Sequence, residues 1–235
     1  MIRFDDVTLV LGGRKVLENL NLKVDTGELV LLVGGSGSGK STILKLILGL
    51  IRPTSGKIYV DDEDVTQISE KKLLAKRREF GIVFQGGALF DSLTVEENVG
   101  FFLKENLKLP EEEVHEKVVK QLTYLGLKEF LNYYPAQLSG GMVKRVAIAR
   151  AVINNPDTML YDEPTAGLDP MTCQRVVDLI RKLHGNNEIT SVVVTHEIHY
   201  FVELVERMIM LQEGKVAYDG PPLTDVSQMY SKINV

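Results

Sequence analysis

The order of hydrophobic and polar positions divides the chain into a strand-rich opening and a later region where strands and helices alternate. Between residues 2 and 33 apolar and polar residues alternate, most regularly at Leu20, Leu22 and Val24, which is typical of strands with one buried face. An apolar run over residues 28–33 then enters a glycine-rich loop and a helical pattern over residues 41–50. The opening therefore predicts an N-terminal antiparallel β subdomain joined to a strand, a loop and a helix.

Alternation of strands and helices resumes after residue 157. Strands are predicted at 158–161 and 190–195, helices at 170–184 and 198–204, and a closing hairpin over 207–218. This alternation indicates an α/β protein with a mostly parallel sheet. Helical patterns interrupt it between residues 88 and 156, with amphipathic segments over 94–133, a break at Pro110 and a helix over 140–153. We therefore predict one domain, 1–235, with a core of 1–87 and 157–235 and an inserted α-helical subdomain of 88–156.

Composition excludes some function classes without identifying one. The 235 residues carry a net charge of −5, which argues against a nucleic-acid partner because such partners favour basic surfaces. Cys173 is the single cysteine, so no internal disulfide can form. Apolar runs such as residues 29–33 are far shorter than the roughly 18 residues of a membrane span. The chain is expected to be soluble, with any membrane role exerted through a partner.

The loop at residues 34–41, GGSGSGKS, fits the phosphate-binding pattern G-x-x-x-x-G-K-[ST] and lies between a predicted strand and a predicted helix. Glycines let backbone N–H groups approach phosphate oxygens, and the start of a helix attracts the same anions. A glycine-rich turn without a ligand is the alternative, but a chance match in this context is rare. The predicted nucleotide contacts here are Gly34, Gly35, Ser36, Gly37, Ser38, Gly39, Lys40, Ser41 and Thr42.

Two acidic residues, Asp162 and Glu163, follow the apolar strand predicted at 158–161. The carboxyl ends of strands face the ligand crevice of an open α/β sheet. Asp162 is therefore assigned to Mg²⁺ together with the Ser41 hydroxyl, and Glu163 is assigned to activation of the attacking water. Gln85 and His196 also follow predicted strands. Taken alone, Gln85 is an ordinary loop residue and His196 an ordinary helix cap.

A further motif gives these residues a common context. The sequence Leu-Ser-Gly-Gly-Met at 138–142 opens the helix over 140–153 and resembles the signature motif of ABC ATPases. With it, that family's motifs appear in order over essentially residues 1–220. The resemblance implies a P-loop NTPase (RecA-like) core, ATP and Mg²⁺ as ligands, and a dimer in which Ser139, Gly140 and Gly141 reach the γ-phosphate held by the other copy. It adds Asp169, in the segment 166–169, to the nucleotide contacts.

The resemblance also gives roles to the residues that end the strands. Gln85 is implied to contact Mg²⁺ and to couple the nucleotide to a membrane permease, and His196 is implied to contact the γ-phosphate. With Glu163, these two residues form the candidate catalytic set. One position departs from the family pattern. Leu11 stands where many ABC proteins carry an aromatic residue that stacks on adenine, so we expect apolar contact with the base but no stacking.

The segment 84–99, FQGGALFDSLTVEENV, and Met142 narrow the resemblance to ATPases of bacterial lipid transporters of the maintenance-of-lipid-asymmetry (Mla) and mammalian-cell-entry (Mce) types. Amino-acid importers usually carry Gln at the position of Met142 and lack the Gly-Ala-Leu-Phe run. The ATPase of another ABC importer or exporter, and a non-transport ABC protein, are the alternatives. The transported molecule and the direction of transport are not specified by this subunit, and no role is predicted for residues 224–235.

The partners implied by the resemblance are a second copy of the chain and two integral-membrane permease subunits that dock near residues 85–102. Substrate-binding or Mce-type accessory proteins are further candidates, and the expected location is the inner face of the cytoplasmic membrane. A docking groove for a permease requires apolar residues that are exposed in the isolated subunit. The residues expected to form it are Leu89, Phe90, Val95, Val99, Phe101 and Phe102.

Overall fold

The computed structural model describes residues 1–187 and 189–223. The end of the predicted domain, residues 224–235, lies outside the described residues, as does Glu188. No helix in the described ranges is both long enough and apolar enough to cross a membrane. The strands are β1 (Ile2–Leu11), β2 (Arg14–Val24), β3 (Leu29–Gly34), β4 (Ser55–Val60), β5 (Glu63–Asp64), β6 (Phe80–Val83), β7 (Thr158–Asp162), β8 (Thr190–Val194), β9 (Arg207–Gln212) and β10 (Lys215–Gly220). The α-helices are α1 (Lys40–Ile47), α2 (Glu70–Arg77), α3 (Val95–Glu105), α4 (Glu111–Tyr124), α5 (Gly140–Val152) and α6 (Pro170–Asn187).

The N-terminal strands form an antiparallel sheet with the order β2-β1-β4-β5. The alternation seen in the sequence is realised here, because Leu20 and Val24 are buried. Leu11 pairs with Arg14 across the end of the β1–β2 hairpin. The two residues between them are glycines with φ values of 55° and 78°, a left-handed conformation that two-residue hairpin turns need and that glycine adopts without strain. The hairpin end is thereby fixed as a compact unit.

The second sheet has the order β10-β9-β3-β8-β7-β6. Its strands from β9 to β6 are parallel, and β10 pairs antiparallel with β9. Five carboxyl ends therefore meet along one edge, as in the crevice of an open α/β sheet. The glycine loop follows β3, Gln85 follows β6, Glu163 follows β7 and His196 follows β8.

Helices α3, α4 and α5 form the inserted helical region, and its apolar faces join the main core. Val95 and Val99, which were expected to be exposed, are both 0% exposed. That expectation was wrong, because these residues form the inner face of α3, packed in the same core as Val118 and Val146. Phe90 and the outward-facing part of α3 remain at the surface.

The helix predicted over 198–204 was also too long. A single 3-10 turn, Ile198–Tyr200, stands in its place. Residues 201–204 continue as hydrogen-bonded turns, and the Phe201 side chain is fully buried in the core. The apolar spacing of this segment had predicted a regular helix, whereas the segment consists of short turns around one buried aromatic side chain.

Candidate active site

The carboxyl edge of the parallel sheet and the end of the β1–β2 hairpin enclose a cleft of about 690 Å³. This volume lies within the range of small-molecule sites. The residues around it come from both sheets and from the loops after β3, β6, β7 and β8: Leu11, Arg14, Val16, Gly34, Gly35, Ser36, Gly37, Gly39, Lys40, Ser41, Thr42, Gln85, Glu163 and His196. Most of the residues assigned to the nucleotide from sequence therefore share one cleft.

The glycine loop is shaped by positions that accept no side chain. Gly34 has φ 154°, and a Cβ there would lie 2.5 Å from the carbonyl oxygen of Leu211 on the adjacent strand. Gly39, just before α1, has φ 105°, and a Cβ there would lie 2.7 Å from the Leu17 side chain. Gly35 and Gly37 face open space. The loop thus keeps backbone N–H groups unobstructed beside the start of a helix, as phosphate binding requires.

Lys40 is largely buried and donates hydrogen bonds from Nζ to the carbonyl oxygens of Gly34, at 2.8 Å, and Gly35, at 3.0 Å. Burial lowers the pKa of its ammonium group, and the nearby carboxylates of Glu163 and Asp162 oppose that shift. Within the described residues, the Ser38 hydroxyl is buried without a hydrogen-bond partner. The Lys40 ammonium group, bonded to backbone carbonyls, and the unpaired Ser38 hydroxyl are both donors that could bind the phosphate oxygens of a nucleotide.

The Ser41 hydroxyl donates a 2.8 Å hydrogen bond to Oδ1 of Asp162. This contact brings together one neutral and one charged oxygen beside the glycine loop. Mg²⁺ at nucleotide sites uses one or two carboxylates, with phosphate and water oxygens completing its coordination. The described residues contain no group of three or more His, Cys, Asp and Glu side chains that could hold a metal ion. The pair fits Mg²⁺ that arrives with a phosphate ligand, and Gln85, on the exposed loop after β6, faces the same cleft.

Glu163 is held from several directions. Its backbone has φ 49°, a conformation that side-chain-bearing residues rarely adopt, and its N–H donates to the carbonyl oxygen of Val194 at 2.8 Å. Its carboxylate Oε2 accepts hydrogen bonds from Thr195 Oγ1 at 3.1 Å and from the His196 backbone N–H at 3.3 Å. His196 Nδ1 lies 2.9 Å from the same oxygen, and the imidazole is exposed to the cleft. Strained backbone of this kind clusters at functional sites.

The signature residues occupy a different place. Ser139 caps α5 by accepting a 3.4 Å hydrogen bond from the Met142 backbone N–H, and Gly141 packs closely against Thr172. Asp169 caps α6 by accepting a 3.1 Å hydrogen bond from the Thr172 N–H. Hydrogen bonds from Thr172 lower the pKa of this carboxyl group. The signature residues and Asp169 are thus neighbours. None of the described residues that line the cleft is one of these four: Ser139, Gly140, Gly141 and Asp169.

Sequence reasoning missed several residues of the site. Arg14 and Val16 line the cleft from the hairpin, and Thr195 and Lys144 contact Glu163. Thr195 could have been found from its place at the end of a buried strand, directly before His196. Lys144 gave no signal, because a lysine on a helix ordinarily indicates a solvated face.

Comparison with known proteins agrees with this geometry. The model of the ABC transporter family matches residues 17–166. "Methionine import ATP-binding protein MetN 1" of Bacillus thuringiensis subsp. konkukian is 41% identical over 94% of this chain and 66% of the relative. The chain thus spans just under two thirds of that relative's length. "Protein TRIGALACTOSYLDIACYLGLYCEROL 3, chloroplastic" of Arabidopsis thaliana is 41% identical over 94% of the chain and 68% of the relative.

A third relative, "Intermembrane phospholipid transport system ATP-binding protein MlaF" of Haemophilus influenzae, is 35% identical over 94% of the chain and 83% of the relative. Among solved structures, a dimeric post-hydrolysis state of the ATP-binding cassette MJ0796 bound to ADP and Pi is similar. Its TM-score is 0.86, its identity 37%, and the match covers 96% of this chain and 100% of that one. The predicted P-loop NTPase fold is confirmed by this likeness. The chain belongs to the ABC transporter family and comprises its ATP-binding domain.

Proposed function

We propose that the chain is the ATP-hydrolysing subunit of a membrane ABC transporter, working as a pair of copies that close around two MgATP molecules. The observation that carries the proposal is the position of Glu163. Its carboxylate lies at the end of β7, hydrogen-bonded to Thr195 and His196, in the same cleft as the glycine loop and Lys40. This arrangement supports the assignment of Glu163 as a base that acts beside the terminal phosphate of a nucleotide held by the glycine loop.

Phosphate binding is assigned to the glycine loop and Lys40. The backbone N–H groups at the start of α1 donate to the β- and γ-phosphate oxygens, and the Lys40 ammonium moves from the carbonyls of Gly34 and Gly35 to these oxygens. Mg²⁺, when held by Ser41 and Asp162, supplies further positive charge to the same oxygens. The family resemblance gives Gln85 a place in that coordination and Thr42 a contact to the phosphates.

Hydrolysis is assigned to Glu163 as general base. Its carboxylate accepts a proton from water as the water oxygen bonds to the γ-phosphorus, and the bridging oxygen leaves with ADP. Thr195 and the His196 backbone N–H orient the carboxylate through Oε2, and the exposed His196 imidazole donates to the γ-phosphate. Preorganised donors of this kind are the usual source of stabilisation in phosphoryl transfer.

The paired form is supported by the position of the signature residues. Ser139 and Gly140 are exposed and lie outside the cleft of their own chain, so they are free to complete the cleft of a second copy. The solved cassette MJ0796 is similarly described as a dimer bound to ADP and Pi. Asp169, beside the signature residues, would then lie at the same interface. Each copy would contribute the glycine loop to one site and Ser139, Gly140 and Gly141 to the other.

Phosphate release from MgATP tests the ATPase proposal. The wild-type chain, alone and with its permease, should release phosphate, and Glu163→Gln should not do so at a comparable rate. Equal rates for the two proteins would show that Glu163 is not the base. No hydrolysis by the wild type under either condition would reject the ATPase assignment itself.

For the transported molecule we propose a lipid. The Gly-Ala-Leu-Phe run at 87–90 and Met142 carry the resemblance to lipid-transporter ATPases. The names of two relatives refer to phospholipid transport and to a galactolipid. In the structure, Phe90 and Phe101 are 46% and 38% exposed, with ring centroids 4.9 Å apart. We propose that this aromatic pair, with the partly buried Leu89 and Phe102, is the docking surface for the permease.

Uptake of methionine is the second candidate, because MetN 1 shares 41% identity with the chain. Sequence identity over the shared nucleotide-binding motifs does not distinguish a lipid transporter from a methionine importer. A transport experiment distinguishes them. A strain of the source organism lacking the gene should show altered lipid composition of its envelope and normal uptake of radiolabelled methionine. Lost methionine uptake with an unchanged envelope would favour the importer. Plasmid-borne wild type should reverse the defect, and the Lys40→Ala form should not.

The proposed assembly contains two copies of this chain and two permease subunits, with the chain bound to the cytoplasmic face of the membrane. A second groove, of about 490 Å³, lies between α3 and α4 next to the aromatic pair. Glu96, Glu97, Glu105 and Glu111 line it together with Lys104 and His115. This excess of acidic groups favours a permease segment that carries basic side chains. Permease copurification would test the assembly, and accessory proteins of Mce type would be identified in the same preparation.

A further inference from the structure

Lys144 is a buried cation in the middle of the molecule. It lies on the first turns of α5, two residues beyond the signature motif, and only 4% of it is exposed. Removing an ammonium group from water is costly unless hydrogen-bond acceptors replace the water. Burial lowers the pKa of Lys144, and the carboxylates of Asp162, Glu163 and Glu197 oppose that shift. An ammonium group that stays charged at this position therefore needs hydrogen-bond acceptors close to it.

Those partners are two backbone carbonyl groups from separate functional segments. Lys144 Nζ donates to the carbonyl oxygen of Gln85, on the loop after β6, and to the carbonyl oxygen of Glu163 at 3.1 Å. A lysine ammonium has three donors and no acceptor, so one side chain can hold both carbonyls at once. α5 thus joins the loop near the proposed docking surface to the residue proposed as the base.

Both segments have backbone conformations that need support. Glu163 has φ 49°, and Gly87 and Ala88, in the loop after Gln85, have φ 78° and 48°. Arg150, further along α5, donates to the carbonyl oxygens of Ala88 at 2.7 Å and Gly87 at 2.8 Å. Non-glycine residues with positive φ are strained and persist where surrounding contacts determine their conformation. For Glu163, the Lys144 ammonium is such a contact on the carbonyl side.

We propose that Lys144 is a positioning residue for ATP hydrolysis, fixing the backbone of Glu163 relative to the Gln85 loop so that the carboxylate is correctly placed. The inference rests on the proposed ATPase function. It also supplies a physical link from the permease side to the base, because a shift of the loop alters one of the two hydrogen bonds that Lys144 makes. A 1 Å displacement of a catalytic group can cost on the order of 10²-fold in rate, so small movements of this loop are sufficient.

A double-mutant cycle with Glu163→Gln tests the proposal. Steady-state MgATP hydrolysis is measured for wild type, Lys144→Met, Glu163→Gln and the double variant. Lys144→Met removes the donors at similar volume and should lower kcat roughly 10- to 100-fold with KM for ATP changed less than about threefold. In the Glu163→Gln background the same change should cost less than about threefold, because Lys144 acts through Glu163. Arg145→Met is the matched control, since Arg145 donates to the Leu125 carbonyl instead, and it should leave kcat near wild type.

Lys144→Gln keeps a neutral donor and serves as the second variant. It should show a smaller kcat loss than Lys144→Met and the same non-additivity, and it carries the test if melting curves show that Lys144→Met is unfolded. If the wild type is active and the folded Lys144 variants have the same kcat, the inference about Lys144 is wrong while the proposed ATPase function stands. The inference is also wrong if the kcat losses of Lys144→Met and Glu163→Gln multiply in the double variant. It is equally wrong if Arg145→Met lowers kcat as much as Lys144→Met does. A wild-type chain without ATPase activity would overturn the proposed function, and this inference with it.

Discussion

Replacing Glu163 with glutamine removes one proton acceptor and little else. The residue is 9% exposed, and glutamine has nearly the same volume. In the wild-type chain, Thr195 Oγ1 and the His196 backbone N–H lie 3.1 and 3.3 Å from Oε2 of Glu163. The carbonyl oxygen of a glutamine side chain can still accept hydrogen bonds from both groups. The remaining loss is the charge assistance in these bonds, of about 1 kcal/mol. We therefore expect Glu163→Gln to fold, with a melting temperature within a few degrees of wild type.

The effect on hydrolysis should be far larger. A positioned general base contributes about 10²- to 10⁴-fold in rate, which corresponds to about 2.7–5.4 kcal/mol in the activation barrier. ATP binding should persist, because the glycine loop and Lys40 are unchanged. Hydrolysis is then slower than closure of the pair, and ATP-bound dimers should accumulate. Gel filtration with MgATP should show a shift from monomer to dimer that ADP does not produce.

Glu197→Gln is the matched control for this experiment. Glu197, directly after His196, accepts a hydrogen bond from the Thr165 hydroxyl and is not among the residues that line the cleft. Its carboxylate is not part of the cleft lining, so Glu197→Gln should retain turnover within about threefold of wild type. The assignment of Glu163 is refuted if Glu163→Gln hydrolyses MgATP as fast as Glu197→Gln. It is also refuted if a slow Glu163→Gln enzyme stays monomeric with MgATP and its permease.

Four further changes test separate parts of the site. Lys40→Ala should lower ATP affinity, measured with a fluorescent nucleotide, and abolish phosphate release without a change in melting temperature. Ser139→Arg should be inactive alone. Mixing it with Lys40→Ala should restore part of the activity, since one of the two shared sites in the mixed dimer then holds neither substitution. No recovery on mixing, or an active Ser139→Arg variant, would count against the shared site. Phe90→Ala should weaken pull-down of the permease by about 1–3 kcal/mol, the scale of an interface anchor, with unchanged melting. Tyr124→Ala, at another exposed aromatic residue, should not weaken it. Leu11→Phe should tighten ATP binding several-fold through stacking worth about 0.5–1.5 kcal/mol, and unchanged affinity would show that the base does not lie at the hairpin end.

The features that sequence predicts well in this chain are those set by neighbouring residues. The glycine loop is specified by glycine positions that a Cβ would block, such as Gly34 against Leu211, and by the apolar strand before it. Glu163 and His196 share the cleft with the glycine loop, and each comes just after a buried part of a strand. Asp162 is the last residue of β7, and the roles of all three residues stay predictions. Parallel strands bring their carboxyl ends to one edge, so local pattern was sufficient to gather these residues.

The features that sequence did not predict depend on contacts between distant segments. The amphipathic pattern of α3 shows that one face is buried but not which residues meet α4 and α5, so Val95 and Val99 were assigned to the surface when they are in the core. Lys144 has partners 59 and 19 residues away, which no helical periodicity reveals. The left-handed backbone of Glu163 is likewise set by tertiary hydrogen bonds, because nothing in an Asp-Glu-Pro sequence requires φ 49°.

The cleft is bounded on one side by the hairpin end at Leu11 and Arg14 and on the other by the glycine loop. A nucleotide held there touches both sheets and is bound only while they remain docked. By thermodynamic linkage, ATP at one hundred times its dissociation constant stabilises the folded chain by about 2.7 kcal/mol. Part of that free energy opposes separation of the N-terminal sheet from the rest of the molecule. Amide hydrogens of the β1–β2 hairpin, distant in sequence from the catalytic residues, should therefore exchange more slowly when nucleotide is present.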